Sequence, residues 1–234
     1  MADAIDKLED YLLETGPVDG TDSRLLRQVA YDRLRDGIIN AGLKPGEPLS
    51  ETRISKALGI SRTPVREALQ QLAKEGLVQI IPGRAVTVAA PSMQDVLDTL
   101  HVRELLEPEV ARLAAEAISA ETRQILQDLT AEMERAAVDG DRPSWSKVDI
   151  QWHELLSDSC PNRLLGELVL QSRNRMYHKG ADEHVTDQYL IDGTKEHRQV
   201  VEAILAGDGD KAEQLTRKHI KSVRENMFKR LFRY

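Results

Sequence analysis

The sequence predicts a mainly α-helical chain in two parts, an amino-terminal winged helix-turn-helix and an all-α bundle of six or seven helices. Three observations carry this. Apolar residues recur at helical spacing through most of the 234 residues, in a composition rich in Leu, Ala, Glu and Arg with only 4% aromatics. The strand-like pattern is confined to one short stretch, residues 77–89, folded about Pro82-Gly83-Arg84. The net charge of -7 is unevenly spread: residues 1–22 hold one Lys and seven acids, whereas residues 23–90 hold eleven basic residues against six acids. A basic module joined to acidic ones is the footprint of a nucleic-acid reader attached to a domain with another task.

In chain order, Ile5 to Leu13 reads as a short helix in an acidic helical arm over residues 1–22, with no function legible in it. The head, 23–90, opens with a helix carrying Leu25, Leu26, Val29, Leu34, Ile38 and Ile39, stopped by Gly42-Leu43-Lys44-Pro45-Gly46. Ser50 is an N-cap, with Glu51 in the first turn of a second helix that runs to Gly59. After the turn Gly59-Ile60-Ser61 a third helix opens at Thr63-Pro64, proline being suited to the first helical position, and runs to Gly76. Strands Leu77 to Ile81 and Ala85 to Ala89 complete a wing.

The chemistry of this head sits where a groove reader needs it. Arg62, Thr63 and Arg66 lie at the start of the third helix, where backbone N–H groups and the helix dipole favour a phosphate and arginine reaches guanine O6/N7. Arg53 on the preceding helix reaches the same groove or its backbone, and Gly83 with Arg84 marks the wing tip. The segment Leu49-Ser50-Glu51-Thr52-Arg53, the core Ser61-Arg62-Thr63-Pro64-Val65-Arg66-Glu67-Ala68-Leu69 and the run Gly76-Leu77-Val78 closely resemble the signature of the GntR regulators. That resemblance implies operator contacts by Arg53, Arg62, Thr63, Arg66 and Gly83.

From 92 to 234 the sequence reads as amphipathic helices near 93–118, 121–138, 143–159, 162–180, 187–206 and 209–232. Breaks fall at Glu107-Pro108, Gly140-Asp141, Pro161-Asn162 and Gly207-Asp208-Gly209. Asp149 and His153, four residues apart, project from one helical face. His197 and His219 lie equally far on either side of residue 208, so an antiparallel helix pair turning there sets them level. One carboxylate and three imidazoles suit a borderline divalent cation such as zinc, nickel, iron or manganese, although such histidines also occur as surface or satisfied core groups. Arg103-Glu104-x-x-Glu107, Asp149-x-x-x-His153, Asn162-Arg163-Leu164 and Glu196-His197 resemble the FCD effector domain of FadR-type GntR regulators. The resemblance implies that Asp149, His153, His197 and His219 ligate a metal, zinc foremost. Open coordination positions would take a small organic acid, with Arg103 and Arg173 as candidates to neutralise its other end.

These readings predict a transcription regulator, a repressor, that binds double-stranded operator DNA as a homodimer, because one winged helix covers only a half-site. A metal-dependent enzyme and a pure metal sensor are the rivals; no general base or nucleophile is evident beside the proposed ligands. No 18-residue apolar stretch or leader-like segment is present, and the single cysteine, Cys160, makes no internal disulfide. The expected setting is the cytoplasm.

Overall fold

A computed structural model describes residues 4–16, 22–40, 43–176 and 187–231. The chain divides into two compact units, the first essentially Met1–Gln94 and the second built from Asp95–Arg173 and the chain from His184 onward.

The first unit begins with α1 (Ala4–Glu14) and α2 (Ser23–Asn40), followed by β1 (Pro48–Leu49) and α3 (Glu51–Leu58). Then come α4 (Arg62–Lys74), β2 (Val78–Ile81) and β3 (Ala85–Val88). Ser50 caps α3 by accepting from the Arg53 N–H, and Gly59 ends it at φ 69°, in the left-handed region where glycine carries no Cβ penalty. The α4 helix starts two residues earlier than the proline signal predicts. Arg62 is its first residue and Pro64 its third, a position still inside the first turn, where a missing N–H costs no helical bond. The wing is a three-stranded antiparallel sheet in the order β1-β3-β2, with Ile80 opposite Val86 and Leu49 opposite the same Val86 from the other edge. The β1 strand is too short to announce itself in sequence. Leu34, Leu58, Val65, Leu69, Leu72 and Leu77 form the core, and Leu8 and Leu12 of α1 belong to it. The acidic amino-terminal helix is thus packed into the head rather than standing apart from it.

The second unit contains α5 (Met93–Ala117), α6 (Ala120–Asp139), α7 (Arg142–Asp158), α8 (Arg163–Asn174), α9 (Asp187–Leu205) and α10 (Gly209–Leu231). Among the described residues these are its six helices; α8 ends at Asn174 with residues 175–176 in a turn, short of the expected residue 180, and 177–180 lie outside the described residues. Ser119, Asp141 and Asp208 each accept from a first-turn N–H of the helix that follows, and Gly140 closes α6 at φ 67°. The break expected at Glu107-Pro108 is absent, and α5 runs straight through Pro108. The α6/α7, α6/α9 and α9/α10 pairs pack against each other around Val110, Ala114, Leu126, Met133, Trp152, Val200 and Ile204. Trp145 and Trp152 sit in this core, their indole N–H groups donating to Thr194 and Thr130 at 2.7 and 3.1 Å. Burial of indole with its donor satisfied makes each a fixed wall. No helix among the described residues is long and apolar enough to cross a membrane.

Candidate functional site

Two charged constellations stand out, one on the head and one inside the tail.

On the head, Arg62 and Arg66 project from consecutive turns of α4 and remain 58% and 54% exposed. Glu51 at the start of α3 holds both. It accepts from Arg66 Nη2 at 2.9 Å and from Arg62 Nη2 at 3.5 Å, and the Arg66 hydrogen bond draws its carboxyl below the usual range. Thr63 is exposed beside them, and Ser61 makes no side-chain bond to the first turn. At the wing tip the Arg84 N–H donates to Ile81 O at 3.0 Å across the turn, and Gly83 has φ 69° with open space around it. Arg53 is paired across to α1: its Nε donates to Glu9 Oε2 at 2.6 Å, and its Nη2 meets the same oxygen. Glu9 and Glu51 carried no signal for this role in the sequence beyond their sign.

Inside the tail, α7, α9 and α10 bring His153, His197 and His219 together, with one ligand-type atom from each within 4.8 Å of the others. The α9/α10 hairpin sets His197 and His219 level, as the spacing predicts, with ring centroids 4.6 Å apart. Asp149 flanks the trio: its Oδ1 lies 3.1 Å from His197 Nε2 and 3.5 Å from His153 Nε2. His153 Nε2 is itself 3.0 Å from His197 Nε2.

The opposite ring nitrogens are already committed. His197 Nδ1 donates to the Gly193 carbonyl at 2.7 Å, and His219 Nδ1 faces Glu196 Oε2 at 2.8 Å, with Ser222 donating to the other Glu196 oxygen. Such partners fix ring orientation and leave Nε2 as the ligand atom. Glu196 appears in the sequence only as the residue before a histidine; its orienting contact depends on α10 and could not be read there.

A second buried layer lies beneath. Arg103 Nε donates to Glu107 Oε1 at 2.6 Å, and Arg173 spans Glu107 at 3.3 Å and Asp149 Oδ2 at 3.1 Å. Side-chain exposures of 7% for Arg103, 5% for Arg173 and 4% for Glu107 make these interior ion pairs, not surface ones. Burial alone would raise the Glu107 carboxyl, but Arg103 and Arg173 hold it below the ordinary range. Burial and Arg173 push His153 down to about 3, and burial lowers His219 despite Glu196. Asp149 is held well below the ordinary carboxylate range against its burial, with Arg173 as its charged partner.

The donor set fits a divalent cation. A carboxylate oxygen and two imidazole Nε2 atoms lie mutually within 3.5 Å, a cluster of ligand atoms that a shared cation would hold together. Neutral imidazoles compete for an ion without first losing a proton. Beside them is a cavity of about 10 Å³, lined by Glu107, Trp152, His153, His197, Thr216 and His219 among others. That is room for about one water.

The two units each match a known family. Residues 26–88 match the family described as bacterial regulatory proteins, gntR family, and residues 98–222 match the FCD domain. The HTH-type transcriptional repressor RspR of Escherichia coli is 30% identical over 207 residues, covering 86% of this chain and 89% of that protein. The solved structure of E. coli McbR/YncC superposes with a TM-score of 0.78 at 22% identity, over 88% of this chain and 98% of that one. The metal-free FCD domain of TM0439 matches 62% of this chain and all of its own length, with a TM-score of 0.50 at 22% identity.

Proposed function

Because this chain belongs to the GntR family of bacterial regulatory proteins and carries an FCD domain, we propose that it is a repressor of the FadR-type subfamily. In this reading it binds double-stranded operator DNA as a homodimer and releases it when a small organic acid reaches a divalent metal ion in the tail. Its regulatory class, and not an enzyme's, is that of its relatives.

The head acts through Arg62, Thr63 and Arg66 in the major groove, Arg53 on the backbone, and Gly83 with Arg84 at the adjacent minor groove. Two heads joined through their tails combine two half-site affinities. In the tail, Asp149, His153, His197 and His219 would hold zinc, or nickel, manganese or iron, which supplies a Lewis-acidic position for a carboxylate oxygen. Arg173 and Arg103 would balance the acid's remaining charge by exchanging part of their hold on Asp149 and Glu107.

The observation that carries this reading is the buried cluster of Asp149 with the imidazoles of His153, His197 and His219. A cavity of about 10 Å³ takes no organic acid without parting α5, α7, α9 and α10. An effector there has differential affinity for two helix arrangements, which is what coupling to DNA requires.

The test uses the full-length protein, a duplex enriched by that protein from a random pool, and fluorescence anisotropy. The metal-loaded protein should lose roughly 5- to 150-fold in affinity with the right carboxylate, and the chelator-stripped protein should not respond. A carboxylate that binds the tail by calorimetry yet leaves DNA affinity unchanged refutes the coupling. The same small cavity favours a second reading, in which the ion alone is the signal. Zinc titration without any organic acid separates the two.

A further inference from the structure

We propose that Glu9 is a specificity-determining residue of the DNA-reading head, one that keeps Arg53 charge-paired to α1 until correctly registered DNA replaces it. The inference rests on the reading of Arg53 as a DNA contact.

Residues 1–22 carry net charge -6 beside a head of net +5, and the structure shows where part of that acid goes. The α1 helix is a fixed rail. Leu8 and Leu12 are 2% and 0% exposed in the head core. Gly37 of α2 makes the seat, since a Cβ there would meet Leu8 Cδ1 at 2.6 Å and Tyr11 Cδ1 at 3.3 Å. At the far end Thr15 donates to Leu12 O at 2.7 Å, and the Arg33 guanidinium donates to the Gly16 carbonyl.

Between the two anchoring leucines, one residue past Leu8, stands Glu9. A single oxygen of its carboxylate receives both Arg53 Nε and Arg53 Nη2. Arg53 keeps 39% of its side chain exposed, so the pair lies at the surface, where a phosphate can compete.

A carboxylate fixed on a packed helix confronts every DNA that approaches Arg53 with the cost of breaking the ion pair. A phosphate set in register recovers it with a bond of equal kind and better placement. Sliding, loosely docked DNA does not, so its affinity drops more than the operator's. An unpaired arginine at the same place would strengthen loosely docked complexes most, because they recover least of that cost.

The experiment compares the full-length protein with Glu9→Gln, Arg53→Ala and the double variant. Each is measured on the self-enriched duplex and on a scrambled duplex of equal composition, across a salt series. Glu9→Gln should tighten scrambled-duplex binding about two- to fivefold and the enriched duplex less, so the ratio falls. Its salt slope on scrambled DNA should steepen by up to about 1. In the Arg53→Ala background Glu9→Gln should change nothing. If Arg53→Ala flattens the slope while Glu9→Gln alters neither ratio nor slope, the inference is wrong and the DNA reading stands. If Arg53→Ala leaves both duplexes unaffected, both are overturned.

Discussion

The two units handle charge in opposite ways. On the head, the arginines are more than one-third to one-half exposed, and their carboxylate partners Glu9 and Glu51 sit at the surface with them. At the tail site, Arg103 and Arg173 are buried to within a few per cent, and burial lowers His153 and His219 toward the neutral form. Exposed pairs are worth little individually and exchange readily. Interior pairs are costly to break because a lone buried charge is left behind. A surface meant to trade its partners for phosphates therefore needs the first kind. A site meant to change shape when one ion or acid enters needs the second.

Four outcomes would break or sharpen that contrast. The largest is expected for Arg62→Ala with Arg66→Ala. Each arginine–base contact of the proposed reading costs about 1–3 kcal/mol when lost, so binding to the enriched duplex should fall at least about thirtyfold. Metal content of the tail, by inductively coupled plasma spectrometry, should stay unchanged, since Arg62 and Arg66 belong to the head. A drop in both would mean that the units are not independent in charge.

Next is the tail. His197→Ala removes a proposed ligand, and Glu196→Gln removes only the partner of His219 Nδ1. The second should lower zinc affinity about 10- to 100-fold and the first more, both read by competition with a chromophoric chelator. Equal effects, or none from Glu196→Gln, would remove Glu196 from the site.

The third outcome follows from pH. The folded pKa of His153 is depressed from an ordinary 6.5 to about 3, so the unfolded chain binds more protons than the folded one between those values. Stability is therefore unaffected above pH 6.5 and declines as pH falls below it, by about 1.4 kcal/mol per pH unit for this histidine. His219 adds a loss of the same sign. In the head, the lowered carboxyl of Glu51 contributes stability that is present above the ordinary glutamate range and lost only as pH falls through its lowered value. In metal-free protein the tail should melt first on acidification, read as loss of near-ultraviolet tryptophan signal from Trp145 and Trp152. Preferential loss of the head would contradict the neutral-histidine picture.

The smallest effects concern glycines. A Cβ at Gly166 would lie 2.2 Å from the Ser157 carbonyl, which is backbone, whereas at Gly37 the neighbour is the movable end of Leu8. Gly166→Ala should destabilise the tail by about 1–3 kcal/mol, and Gly37→Ala the head by less, in urea titrations. The reverse order would mean that α7 and α8 separate more easily than α1 shifts.

The sequence itself settled the order of elements and which of the candidate side chains share a helical face or level. Ser50, Gly59, Gly140 and Asp208 fixed helix ends because caps act within a turn of the residue that makes them. Helical spacing set Asp149 above His153, and symmetric placement about residue 208 set His197 against His219, both consequences of local periodicity. Local signals also misled where two rules competed: Pro64 pointed to the wrong first residue of α4, and Pro108 to a break that α5 does not have.

What tertiary structure decided was partnership between residues far apart in the chain. Glu9 met Arg53, Glu51 met Arg62 and Arg66, Glu196 met His219, and Arg173 was drawn in to join Glu107 with Asp149. It also gave the short β1 a place on the wing and the acidic α1 a place in the core. No periodicity encodes such pairs, because electrostatic and packing energies depend on distance in space, and that distance exists only once the helices have docked.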